Sequence, residues 1–247
     1  MSKIVKPIYL VLCLLAFINT FGQNESYPCN CCNTNLKKLF HGEVLDNLNV
    51  HACWGSGLHD LSSSYLKPEG TAPKIIEDPD GGVPDDGAYV TWTCKYSMGN
   101  VQDKNPKTAW VEGVDGPGIG EVIVVPCLDL SKPVKIWIGY GKSDAIYKAN
   151  NRPSKVRAVI IKAEKFGAPQ EGYTYENLSI ISEMIVALED KNDFQPLPIP
   201  SFKPESYFSS RFGEETDYMY FLGLEILDVY KGSKYDDTCI SEIANQE

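Results

Sequence analysis

No run of this chain reaches the ~20 consecutive apolar residues that a membrane-spanning helix needs, and the apolar stretch Ile8 to Ile18 stops well short. Basic charge is also scarce. Lys and Arg number 23 against 33 Asp and Glu, a formal charge of −10, and no basic stripe is interleaved with aromatics. So acidic a chain repels phosphate backbones, which argues against nucleic acid as a partner. No glycine loop is shaped to cradle a phosphate, and no nucleophile stands beside a base. Acids are plentiful, but no two are marked by their surroundings as the acid/base pair that a hydrolase requires. Catalysis is therefore not expected. Internal repeats and strands alternating with long helices are missing too, which removes solenoids and doubly wound folds.

What is present begins with an address. Lys3 and Lys6 open the chain, the apolar run follows, and Thr20 and Gly22 place small residues at −3 and −1 before Gln23. This is the pattern of a removable export signal over residues 1–22. Cys13 follows Leu12 inside the run, a poor lipid-attachment site, so the expected product is free in the medium, periplasm or cell envelope. Cleavage removes two lysines and no acid, moving the charge from −10 to −12. Seven of the eight cysteines then remain: Cys29, Cys31, Cys32, Cys53, Cys94, Cys127 and Cys239. Disulfides are the default for an exported chain, and an odd count leaves one thiol free or paired outside the chain. Cys29, Cys31, Cys32 and Cys53 with His41, His51 and His59 fit no regular zinc spacing.

Two textures divide the mature chain. Residues 23–87 are rich in Cys, Gly, Pro and Asp with little periodicity, apart from apolar residues at helical spacing over 35–48. The turn-dense stretch Ile76 to Gly87 is the natural boundary. Beyond it, short strands are expected at 88–94, 120–127, 134–141, 154–163, 182–190, 194–200, 218–230 and 239–245. Val122 and Val124, Ile136 and Ile138, and Val156, Ala158 and Ile160 alternate as half-buried strands do. Residues 176–188 have some helical character, but their β-branched second half reads as strand. Pro196, Pro198 and Pro200 at every second position suit an edge strand. The expected fold is all-β, an antiparallel jelly-roll sandwich of about eight strands over 88–247, preceded by an irregular Cys-rich segment.

Several loop–strand motifs then occur in order: Thr108-Ala-Trp-Val-Glu-Gly113 with Gly118-Ile-Gly-Glu-Val-Ile123; Gly139-Tyr-Gly-Lys-Ser143 with Tyr147 and Asn150-Asn-Arg152; and Val186-Ala-Leu-Glu-Asp190 with Gln195. Val229-Tyr-Lys-Gly-Ser-Lys-Tyr-Asp-Asp-Thr-Cys-Ile-Ser-Glu-Ile243 closes the series. Together they resemble the NADase-type glycan-binding domains of the discoidin-like, galactose-binding-like superfamily, over roughly 88–245. Lys231 departs from the Pro that often precedes this Gly in the family, and Asp103-Lys-Asn105 departs from a cleaner Asp-Gly-Asp. The resemblance implies a carbohydrate-binding module without chemistry of its own. Its partner would be a glycan or cell-surface polysaccharide, or a protein if the scaffold serves as an adhesin subunit.

Trp110, Glu112, Tyr147, Asn151 and Arg152 are the candidate ligand contacts in the matching loops. Each also has a structural reading. Trp110 would plug one end of the sandwich, and Arg152 would fork onto Glu112, a geometry that guanidinium suits better than ammonium. That internal Arg152–Glu112 pair is the favoured expectation. Asp103, Asn105, Thr108, Asp236, Asp237 and Glu242 are oxygen donors on loops that a jelly roll brings near each other. Discoidin-like relatives often carry a structural Ca²⁺ there, which suits an all-oxygen set; the alternative is a solvated turn with Asx bonds. Asp103, Asn105, Thr108 and Glu242 are the proposed ligands. Tyr173, Tyr175, Phe194, Phe202, Tyr207, Phe208 and Phe212 offer a sugar platform or loop anchors. Cys94 and Cys239, on the first and last matched strands, are the candidate disulfide.

Overall fold

The computed structural model describes residues 32–50, 61–82, 84–167, 173–205, 207–209, 214–216 and 219–246. The expected leader and Cys29, Cys31, Cys53, His51, His59 and Phe212 lie outside these residues, as do the side chains of Tyr207 and Phe208.

Helices are few and short: α1 (Asn35–Phe40), α2 (Gly87–Thr93) and α3 (Asp144–Ala149), with a 3-10 turn at Met98–Gln102. The strands are β1 (Leu45–Val50), β2 (Trp110–Val111), β3 (Val122–Val125), β4 (Val134–Ile138), β5 (Arg152–Lys162) and β6 (Lys165–Gly167). They continue as β7 (Tyr173–Ala187), β8 (Gln195–Leu197), β9 (Tyr207–Ser209), β10 (Glu214–Thr216), β11 (Tyr220–Tyr230) and β12 (Cys239–Asn245). All strand pairs are antiparallel. One sheet runs β1-β7-β5-β11-β3 with β6 also on β7, a second runs β2-β12-β4-β8, and β9 and β10 form a hairpin.

Alternation explains the core. Val134, Ile136 and Ile138 of β4 point inward and are buried, while Lys135 and Trp137 between them are only partly covered. They share one apolar cluster with Ile240 and Ile243 of β12 and with Val156, Ala158, Leu222 and Leu224 of the larger sheet. Two sheets burying one inner layer between them make a β-sandwich.

The segment ahead of residue 88 takes part in this core. Leu36, Leu39 and Phe40 of α1 are buried in the same cluster, and β1 extends the larger sheet by pairing with β7. A Cβ on Gly223 would come within 2.8 Å of both Phe40 Cζ and Val159 Cγ2. The missing side chain on β11 is thus what lets α1 lie flat on the sheet. Arg157 donates to the Phe40 carbonyl and pairs with Glu225 at 2.8 Å, and Lys37 pairs with buried Glu121. The helical periodicity over 35–48 is realised only to Phe40, because Gly42 takes φ +91° and turns the chain into β1.

Six expected strands are present as β3, β4, β5, β8, β11 and β12, and 182–190 is the second half of the longer β7. Residues 88–94 are not a strand. Gly87–Thr93 is helical and buries no side chain, and its amides find local partners, Val90 N–H on Asp86 O and Cys94 N–H on Val90 O. The neighbour of β12 is instead β2, through Cys239↔Val111 and Ile240↔Trp110. First and last sheet strands of the sandwich region are adjacent, but the first is β2. Cys94 therefore sits at a helix end rather than on a strand beside Cys239. The Cys94–Cys239 disulfide is not formed, and Cys239 is a free, fully buried thiol whose pKa burial pushes up. Pro196 does occupy an edge, since β8 pairs with β4 alone.

Candidate functional site

Glu112, Asn151 and Arg152 bond the loop 231–238, while Trp110 and Tyr147 bond elsewhere, all with their polar groups turned inward. Trp110 is fully buried and donates Nε1–H to Ser64 O at 2.8 Å. Asn151 accepts from Gly232 N–H at 2.6 Å and donates to Asp236 O at 2.5 Å. Burial raises the Tyr147 hydroxyl pKa, and its O–H donates to Asp190 at 2.9 Å. Arg152 forks onto the same carboxylate, Nε to Oδ1 at 2.6 Å and Nη2 to Oδ2 at 2.5 Å. None of these four presents a free polar face to a ligand.

The Arg152–Glu112 pair is not made. Arg152 opens β5, and Leu188 N–H bonds Ser154 O just above it, so the turn after β7 delivers Asp190 to the guanidinium. The guanidinium's hydrogen bonds hold the Asp190 carboxyl below its usual pKa. Glu112 faces the far side of the loop. Its oxygens accept from Val114 N–H at 2.9 Å and Thr238 N–H at 3.1 Å, and burial pushes its pKa to about 7.

The oxygen donors of the expected cation site do converge. Asp103 accepts from Thr108 Oγ1 at 2.6 Å and from Asn105 N–H at 2.8 Å, while Glu242 accepts from the same Asn105 N–H at 3.0 Å. Burial raises both carboxyl pKa values, Glu242 to about 8 with the Asp103 charge as a second cause. A buried carboxylate, a second carboxylate on an exposed loop, a hydroxyl and loop carbonyls are donors of the type that a hard cation takes. Each Asp103 oxygen accepts one hydrogen bond and keeps a lone pair for such an ion. Asp236 and Asp237 serve the Asn151 and Glu112 loop instead.

An outward patch adjoins this cluster. Trp137 is paired in register with Glu242, so both lie on the outer face of the smaller sheet. The loop 103–108 covers Glu242, while Trp137 stays partly open beside Phe194. The two rings meet edge to face, with centroids 5.2 Å apart and planes at 78°. Lys135 Nζ stands 4.4 Å from the Phe194 centroid. The indole N–H donates to Asn192 Oδ1 at 3.1 Å, and Asn192 is held in turn by Asp144 at 2.7 Å. A Cβ on Gly141 would lie 2.6 Å from Pro106 O and 2.7 Å from the indole nitrogen, so Gly141 lets the cation-site loop press against the platform. Phe194 was among the aromatics expected to form a platform. Trp137 was not singled out, although a large ring at the polar position of Val134-Lys-Ile-Trp-Ile138 is a visible signal.

Two packed antiparallel sheets, closed by loops at the β2–β12 end, define a discoidin-like β-sandwich module. Residues 90–246 match the family model described as the NAD glycohydrolase translocation F5/8 type C domain. The chain belongs to that family. No curated protein matches it. Among the described residues, no helix is long and apolar enough to cross a membrane.

Proposed function

We propose that the protein is an exported, non-catalytic module that binds carbohydrate on the Trp137–Phe194 face. The observation that carries this reading is the aromatic pair itself. It is partly open, braced by Asn192, and flanked by the Lys135 ammonium as a hydrogen-bonding group. A pyranose packs its C–H face on such rings and directs its hydroxyls to the polar rim. Family membership supports a binding role. The leader-like start supports an exported product, in the periplasm, envelope or medium.

A glycan array followed by titration calorimetry tests the proposal. Trp137→Ala and Phe194→Ala should each weaken saturable sugar binding by about tenfold, the loss of roughly 1.4 kcal/mol of ring contact. An array without hits, together with unchanged affinity in both variants, would move the function to the protein-binding reading.

Calcium is the cofactor proposed for Asp103, Asn105, Thr108 and Glu242, where it would tie the loop 103–108 to β12 and offset the two adjacent carboxylates. At one hundred times Kd it should stabilise the fold by about 2.7 kcal/mol. For a domain of this size that is a rise of about 5–10 °C in Tm, reversed by chelator. An unchanged midpoint would leave these residues as a hydrogen-bonded loop anchor.

A further inference from the structure

The longest strand has an edge that its own sheet does not finish. On one side β7 is paired along its length, by β5 over Ser179–Ala187 and by β6 over Thr174–Glu176. On the other, β1 reaches only from Val50↔Tyr173 to Leu45↔Leu178. There the chain leaves the sheet, because Gly42 turns it toward α1 on the sheet face. Among the described residues, no strand pairs with the outer edge of Ser179–Ala187, and the contact from outside the sheet at its middle is the Ser182 hydroxyl donating to Ser201 O at 2.9 Å. Nine residues at ~3.3 Å each make a gap of roughly 30 Å in line with β1.

The side chains along the gap are those of an interface. Ile181 and Ile185 are 43% and 65% exposed, and Val44, where β1 stops, is 60% exposed. Every second residue from Ile181 to Ala187 faces outward, with Glu183 between the two isoleucines. Unpaired edges are ordinarily blunted by lysine, proline or covering chain; this one carries a single acid. Arg157 lies 3.4 Å from Glu183, but it is engaged more closely by Glu225 and the Phe40 carbonyl.

We infer that this edge is a docking site for an extended segment of another protein, added as a strand beside β7. The segment places a lysine or arginine opposite Glu183 and apolar residues two positions to either side, over Ile181 and Ile185. Backbone hydrogen bonds supply affinity, and the alternate side chains supply selectivity. Charge decides between this occupant and a second copy. The antiparallel register that sets Ile181 against Ile185 of a twofold-related copy sets Glu183 directly against its twin, which is destabilising. A chain with formal charge −10 also repels its own copies and attracts basic segments.

The test uses the full mature chain and two nine-residue synthetic peptides of alternating Ile and Thr, one with Lys at its centre and one with Glu. Titration should show the Lys-centred peptide binding at least about tenfold more tightly. Hydrogen exchange should show new protection confined to the amides of residues 179–187. Glu183 is exposed, so Glu183→Lys should fold normally and reverse the preference between the peptides. Ile185→Asp should weaken both. The inference is overturned by equal affinity for the two peptides, by no binding of either, by a Glu183→Lys variant with unchanged preference, or by sedimentation showing a dimer that Ile185→Asp dissolves.

Discussion

Replacing Asp190 with alanine is expected to lower the unfolding free energy by about 3 kcal/mol, measured by equilibrium urea denaturation. Asp190 satisfies three donors at once, two from Arg152 and the hydroxyl of Tyr147. Removing it leaves a guanidinium in a site where its side chain is only 9% exposed, with carbonyl contacts to Asn150 and Lys231 that cannot neutralise it. Stranding one charge of a buried pair typically costs ~3–5 kcal/mol. The value falls at the low end because Asp190 itself is 38% exposed and water can partly replace it. Arg152→Met combined with Asp190→Ala should recover much of the loss, since two apolar groups leave no orphaned charge. A change within about 0.5 kcal/mol for Asp190→Ala would mean that the pair is screened and that the loops are held by packing alone.

That pair also marks how far the sequence could be read. Strands with clean alternation, such as Val122–Val125, Val134–Ile138 and Arg152–Lys162, were legible because their side-chain period follows directly from the pleat. Residues 88–94 looked equally strand-like, but their backbone closes into a short helix whose amides find local partners. The helical spacing over 35–48 pointed to α1 but not to its partners, because α1 packs on the outer sheet face beside Val159, Ile161 and Gly223, far along the chain, and β1 joins the sheet edge beside β7. Partner choice was the least legible. Glu112 and Asp190 both stand in family-matching motifs, and only the turn after β7 determines which one meets Arg152. The grouping of Asp103, Asn105, Thr108 and Glu242 was readable because adjacent first and last strands force those loops together. The outward placement of Trp137 was readable too, from the alternation that named its neighbours as core.

The second large effect concerns pH and rests on Glu112. Its carboxyl is buried without a cation beside it, and desolvation raises its pKa from 4.5 to about 7. Below pH 4.5 the group is protonated in both the folded and the unfolded chain, so it contributes no slope there. As pH rises, the unfolded chain ionises first, so unfolding becomes easier until the folded pKa is passed. Stability should therefore fall by about 3 kcal/mol between roughly pH 4.5 and 7, at ~1.4 kcal/mol per unit, and this contribution is flat above. Glu242, raised to about 8, adds a fall of the same sign when calcium is absent. The comparison that isolates Glu112 is urea denaturation of the wild type and Glu112→Gln across pH 5 to 8 in chelator. The amide cannot ionise, so the variant should lose stability less steeply with pH. It should still be less stable at pH 5, because its NH₂ must face either Val114 N–H or Thr238 N–H and leave that donor unsatisfied. Parallel curves for the two proteins would show that Glu112 titrates in the ordinary carboxylate range and that the loop around Thr238 admits water.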